Sequence, residues 1–322
     1  MSADCILVLD LGGTQLRLAL ANRDGKLLSR YAAPTQAAQS QRRLIGRINR
    51  AIREITSDID LKQVLGMGVA VAGLVNPETG VLLSSPNLPR LRNVRLKALL
   101  EREIKAPVWL ANDASLAALG EHRFGAGRGF SHLVYITVST GIGGGVIIDN
   151  GLFLGGQGYA AEIGHMVIDP DGPRCACGNM GCLEAFASGS AIARMALEEL
   201  SRGKVSIITS LAEDDLSRVT AEMVARAAQS GDPLAEEIMD RAGTSLGIGV
   251  VNLLHLFDPE LVIIGGGVSR AGELILRPVR RVIAERAMSG FKGAKVVTSA
   301  LGDDSGLLGA VAWVLDNAAS TP

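Results

Sequence analysis

Ile6-Leu7-Val8-Leu9-Asp10-Leu11-Gly12-Gly13-Thr14 decides the fold of this chain once it is set beside Val134-Tyr135-Ile136-Thr137-Val138-Ser139-Thr140-Gly141-Ile142-Gly143-Gly144-Gly145. Each stretch is an apolar strand ending in a glycine turn that bears a threonine, and each is followed by another strand. Two hairpins of one design, about 130 residues apart, predict two related lobes, each offering a hydroxyl and backbone N–H groups at a turn.

Working outward from the first stretch, strands are expected at 5–9, 15–22 and 26–33, a polar helix at 40–58 and a strand at 64–71. A strand pair around 74–84, a helix near 95–104, a short strand at 107–111 and a helix opening at about 114 follow. The second set runs through strands 133–138 and 144–149, then Asn150-Gly151, a strong hairpin signal, and a further apolar run. Later helices fit 190–201, 220–229, 234–256, 270–286 and 305–317, with strands at 260–264 and 295–299. Alternating strands and helices predict an α/β architecture.

Composition agrees. A chain of 322 residues, 48% of them apolar, suits two domains with a core each. Its 39 glycines and 3% aromatic content suit tight turns and close backbone approach to ligands. A formal net charge of -1 argues against the basic footprint of a nucleic-acid binder. Met1 to Cys5 carries no basic n-region, and no run of about eighteen apolar residues occurs. Neither a signal peptide nor a membrane span is expected, and the location expected is cytoplasmic.

Consecutive glycines let backbone N–H groups point into a concavity that can cradle a phosphate. Thr14 and Thr140 add hydroxyl donors, and Asp10 could hold Mg²⁺ directly or through water. The plain alternative for either turn is a hairpin that needs glycine only for its dihedrals. The Walker A pattern is absent, and strands on both sides of Gly141–Gly145 argue against a Rossmann fingerprint. A third cluster, Gly265-Gly266-Gly267, follows an apolar strand and precedes a helix around Arg270. It offers bare backbone to a nucleotide base and ribose, or simply a turn with positive φ.

Four cysteines occur, and Cys175, Cys177 and Cys182 fall together behind His165 in the spacing H-x9-C-x-C-x4-C. In a cytosolic chain such clustering reads as metal ligation before disulfides. Three thiolates and one imidazole complete a tetrahedral zinc site with no open position, which is structural. Gly178 and Gly181 let the chain wrap around the ion, and Cys5 reads as an ordinary buried thiol. A zinc-bound His165 keeps one ring N–H, for which a sugar hydroxyl is one possible acceptor.

Asn112-Asp113 closes a short strand ahead of a helix. Asp113 is the candidate general base, although taken alone an Asp before Ala-Ser-Leu-Ala-Ala-Leu reads first as a helix N-cap. Glu162 and Glu184 flank the metal loop, suited to bidentate binding of sugar hydroxyls or to plain surface charge.

These residues together resemble the sugar kinases of the ROK family. The matching pieces are Asp10-Leu11-Gly12-Gly13-Thr14, Asn87 after Ser85-Pro86, Asn112-Asp113, Thr140–Gly145, Glu162-Ile163-Gly164-His165, Cys175–Glu184 and Gly265–Gly267. They run in family order along nearly the whole chain. The resemblance implies two ribonuclease-H-like lobes of the actin-like ATPase superfamily, with the active site in the cleft between them. It places a small lobe at 1–113 and a large lobe, with zinc loop 165–182, at 114–304; a C-terminal helix at about 305–318 returns to the first lobe. It implies that Asp113 activates the 6-hydroxyl of a hexose, and that Asn87, Asn112, Glu162, His165 and Glu184 hold the sugar. Asp10, Gly12, Gly13, Thr14, Thr140 and Gly141 would meet ATP phosphates with Mg²⁺, and Gly265, Gly266 and Gly267 the adenosine. Such kinases are usually dimers or tetramers.

Two departures bear on specificity. Ala72 stands where the family often has Pro before Gly73, in the loop that borders the sugar, and Ser139 stands where many members have Gly. Thr137–Gly141 with Asp169-Pro170-Asp171-Gly172-Pro173 is also similar to N-acetylmannosamine kinases. Glucose is the expected substrate, with N-acetylmannosamine, mannose, fructose and allose behind it. The family includes repressors, but a first strand at about residue 5 leaves no room for their DNA-binding domain, so a sugar-sensing regulator is the lesser alternative.

Overall fold

The computed structural model describes residues 5–319; the reading of Met1–Asp4 as lacking a targeting signal lies outside them. The deciding stretch forms β1 (Cys5–Leu11), buried along almost its whole length, the pattern of a strand covered on both faces. β2 (Gln15–Ala21) and β3 (Leu27–Pro34) follow as antiparallel neighbours; β3 alternates half-buried and exposed positions as an edge strand does. In α1 (Gln41–Ile55), Leu44, Ile48, Ala51 and Ile52 recur at helical spacing and supply the buried stripe. Then come β4 (Val64–Val71), β5 (Leu74–Asn76), β6 (Val81–Ser84), α2 (Leu96–Ile104), β7 (Val108–Asn112) and α3 (Asp113–Phe124). The second half holds β8 (Leu133–Val138), β9 (Ile142–Ile148), β10 (Gly151–Leu152), α4 (Leu183–Ala187), α5 (Gly189–Ser201), α6 (Ile208–Leu211) and α7 (Ala221–Gln229). It closes with α8 (Pro233–Phe257), β11 (Leu261–Gly265), α9 (Glu273–Arg286), β12 (Val296–Thr298) and α10 (Ser305–Ala319). No described helix is long and apolar enough to cross a membrane.

Two five-stranded sheets share one plan. The first has the order β3-β2-β1-β4-β7, with β1, β4 and β7 parallel. The second has the order β10-β9-β8-β11-β12, with β8, β11 and β12 parallel and β9 and β10 antiparallel. In each, the first strand of the set is central, flanked on one side by its hairpin and on the other by parallel strands. The repeat read from the two hairpins is therefore a repeat of whole sheets.

The chain divides into two compact units, one of Met1–Gly129, Gly145–Ala161 and Asp303–Pro322, the other of Phe130–Gly144 and Glu162–Gly302. Helix α3 thus lies with the first unit, where a division at 113/114 puts it with the second. The reason is packing: α10 crosses α3 so closely that a Cβ on Gly309 would stand 1.7 Å from the Leu116 carbonyl oxygen. Gly309→Ala should therefore cost about 1–3 kcal/mol through forced separation of the helices. Urea unfolding checks this, and an unchanged midpoint would contradict the packing account.

Local readings shift in three places. The turn after β8 spans only Ser139–Gly141, and Gly143–Gly145 lie inside β9, which starts at Ile142. There the missing side chains serve packing, since a Cβ on Gly145 would meet the Ala118 methyl at 2.5 Å. The next hairpin turns on Asp149 and Asn150, at φ 52 and 63, with Gly151 already in the returning strand. Asp and Asn both tolerate that left-handed region, so the turn sits one residue earlier than Asn150-Gly151 predicts. Helix α9 starts at Glu273, because Gly267–Ala271 forms a separate 3₁₀ turn. The short helices α4 and α6 have no counterpart among the expected elements.

Candidate active site

In the first unit the parallel strands end level with one another: Leu11 pairs with Val71, and Val71 with Asn112. Asp10, the 12–14 turn, Gly73, Asn112 and Asp113 thereby gather at the carboxyl ends of β1, β4 and β7, the usual ligand edge of such sheets. Buried Thr35 pins the turn, donating from Oγ1 to the Gly12 carbonyl at 2.7 Å and from its N–H to the Thr14 carbonyl at 2.8 Å. The Thr14 side chain stays exposed. Asn87, also exposed, lies against Gly13.

Asp10 is 6% exposed, and its carboxylate is paired with the Arg17 guanidinium, which also donates to the Asp303 carbonyl at 2.7 Å. Burial pushes the Asp10 carboxyl above its ordinary range, and Arg17 works in the opposite direction. The two residues are direct cross-strand partners, so strand alternation would have pointed to Arg17 once the β1–β2 register was known.

The cap of α3 falls to Asn112. Its side-chain oxygen accepts from the Ala114 and Ser115 N–H groups at 2.9 and 3.1 Å, and its Nδ2 donates to the Gly73 carbonyl at 3.2 Å. Asp113 is the first helical residue, with Oδ1 accepting from the Ala114 N–H at 2.9 Å. The N-cap reading of Asp113 is thus corrected: its neighbour does that work and ties the Gly73 loop to the helix. Asn112→Ala should cost about 1 kcal/mol, the usual loss of a cap. Chemical denaturation reads this, and an unshifted midpoint would contradict the assignment.

In the second unit, Ser139–Gly141 is held from α5: the Gly189 N–H donates to the Ser139 carbonyl at 2.7 Å and Ser190 Oγ to the Thr140 carbonyl at 2.8 Å. Gly265 ends β11 opposite Thr137, and Gly266 takes φ 81 against the Val138 backbone. Beside them opens a pocket of about 610 Å³. Val219, Ala225, Met239 and Val268 give it apolar walls, while Thr140, Ser190, Thr220, Gln229 and Gly267 bring polar groups and bare backbone. Its size and lining suit a nucleoside. Ser190, Thr220 and Gln229 are absent from the motif reading. Only the Thr220 N-cap of α7 has a local sequence signal.

The cysteine cluster forms as its spacing predicts. Cys175 Sγ lies 3.8 Å from His165 Nδ1, Cys177 Sγ lies 3.7 Å from Cys182 Sγ, and all four ligand atoms fall within 4.8 Å of one another. Tetrahedral bonds of about 2.3 Å to sulfur place thiolates about 3.8 Å apart, so this donor set fits an ion such as zinc. Burial, with the neighbouring thiols, pushes Cys182 up to about 12; burial also raises Cys175, while the Asn179 backbone N–H lowers exposed Cys177. Glu162 is raised by partial burial, with His165 opposing. Half-buried Glu184 accepts from the Ile142 N–H through Oε2 at 2.8 Å, and its Oε1 lies 3.8 Å from Cys175 Sγ.

The sequence profile of the ROK family matches residues 6–317. A glucokinase of Thermotoga maritima is 39% identical over 310 residues, 96% of each chain. A xylose repressor of Caldicellulosiruptor bescii is 33% identical over 320 residues, 98% of this chain and 79% of that one. Among solved structures, a ROK family glucokinase from Streptomyces griseus, in complex with glucose and AMPPNP, superposes with a TM-score of 0.85 at 34% identity, covering 97% of this chain and 99% of the other.

Proposed function

The chain belongs to the ROK family, and from that premise we propose that it is an ATP-dependent glucokinase, transferring the γ-phosphoryl group of ATP to the 6-hydroxyl of glucose. One observation carries the kinase reading over a sugar sensor: Asp113 stands at the head of α3 while Asn112 does the capping. The Asp113 carboxylate, whose Oδ1 accepts from the Ala114 N–H, stands at the strand-end edge in position to take a proton. Glucose is favoured among hexoses by the glucokinase relatives, which run the length of the chain.

Asp113 accepts the 6-hydroxyl proton as that oxygen bonds to the γ-phosphorus, the bond to the β-phosphate bridging oxygen breaks, and ADP leaves. Asn87 offers its exposed amide to the sugar, and Asn112 contributes chiefly by fixing the Gly73 loop. Glu162 and Glu184 accept from sugar hydroxyls. With His165 Nδ1 on the cysteine side, its Nε2–H is left to donate to the sugar. Thr14 and Thr140 present hydroxyls to the phosphates, and the pocket beside Gly267 takes the adenosine. Asp10 is the hard oxygen donor suited to Mg²⁺, with Arg17 as its resident partner. Mg²⁺ bound with ATP supplies neutralisation of phosphate charge. His165, Cys175, Cys177 and Cys182 would hold zinc with every position filled, which makes that site structural.

6-Deoxyglucose, which lacks the accepting hydroxyl, should compete with glucose and yield no phosphorylated sugar. A phosphorylated product from it, seen by mass spectrometry, would overturn the assigned acceptor.

A further inference from the structure

We propose that the metal loop sets the geometry of the phosphate-binding turn as well as that of the sugar-binding residues, and that Glu184 is the positioning residue that transmits it. The inference rests on reading the Ser139–Gly141 turn as the seat of ATP phosphates and the cysteine cluster as a zinc site.

Ile142 directly follows that turn, and two arms of the metal loop hold its backbone. From one side Glu184, two residues after the ligand Cys182, accepts the Ile142 N–H at 2.8 Å. From the other, Gly164, the neighbour of the ligand His165, presses on the Ile142 carbonyl so closely that a Cβ would stand 2.1 Å from its oxygen. Glu184 Oε2 also fills the space beside Gly141, where a Cβ would come within 2.4 Å of it. The two arms are tied to each other by the metal-loop backbone: the Leu183 N–H donates to the Met166 carbonyl at 2.8 Å, and Val167 bridges to Cys182.

The far end of the same short helix reaches the turn again. Helix α4, which carries Glu184, runs into Ser188, the N-cap of α5, and the next two residues hold the carbonyls of Ser139 and Thr140. An ion that joins His165 to Cys182 therefore fixes both arms on Ile142 and the start of α5. Releasing the ion frees them together, and the turn loses its fixed N–H directions before any sugar is bound.

The test is titration of Mg·AMPPNP into zinc-loaded protein without sugar, by calorimetry, with zinc content and thermal unfolding measured on each sample. Loss of one hydrogen bond to a charged acceptor predicts that Glu184→Ala, at full zinc, binds the nucleotide about tenfold more weakly. Glu184→Gln keeps an oxygen for the Ile142 N–H and should hold most of the wild-type affinity, whereas Glu184→Met, of similar bulk but with no oxygen acceptor, should show the tenfold loss that a packing role alone would not produce. Where Glu184→Ala fails to keep zinc, wild-type protein before and after chelation decides, with the same tenfold loss expected. Wild-type nucleotide affinity in zinc-replete Glu184→Ala, or in folded zinc-free protein, would overturn the coupling and leave the kinase reading intact. Wild-type protein that binds no AMPPNP would overturn both.

Discussion

Asp113→Asn should lower kcat by about 10²- to 10⁴-fold, the range lost with a general base, while glucose affinity stays within a few-fold of wild type. The substitution is matched to the structure. Asn keeps an oxygen for the Ala114 N–H that Asp113 Oδ1 now accepts at 2.9 Å, and the cap on Asn112 is untouched. Fold and binding should therefore survive while the proton acceptor is lost. Steady-state kinetics with calorimetric glucose binding separates the two effects. Turnover near that of wild type would remove Asp113 from the reaction.

Cys177→Ser should release the metal, lower the thermal midpoint sharply and expose the 165–182 loop to protease. Cys177 is exposed, so little packing is lost with its sulfur, and the effect isolates the ion. Zinc binding of this kind contributes about 10–16 kcal/mol in zinc-finger peptides, so losing it should cost at least several kcal/mol of folding free energy. Chelator-treated wild type should show the same shift, and Cys5→Ser, in β1 and not one of the four ligands, should keep its zinc. A zinc-free chain with an unchanged midpoint would show that the loop stands without the ion.

Much of this is legible in the sequence, for identifiable reasons. Strands such as β1, β4 and β8 are apolar runs bounded by turns, and helices such as α7 and α10 carry clear breaks at their starts. The cysteine cluster was legible because its ligands lie close in sequence, so local spacing already determines which atoms can meet. What escaped depends on contacts between distant segments. Gly144 and Gly145 look like part of a turn until Ile163 and Ala118 are seen to fill the space their side chains would need. Arg17 is one charged residue in an apolar strand until the β1–β2 register sets it opposite Asp10. Asn112 and Asp113 are both good capping residues, and only backbone geometry says which of them caps. Ser190, Thr220 and Gln229 come from two helices that converge on Gly267, and no local pattern marks that convergence.

The most direct test of the account is ADP release from MgATP by zinc-loaded protein offered glucose, mannose, fructose, allose, N-acetylglucosamine and N-acetylmannosamine in turn. The account predicts turnover with glucose at a kcat/KM well above that for every other sugar. A folded, zinc-replete protein that leaves glucose untouched, or that turns over N-acetylmannosamine far faster, would contradict it.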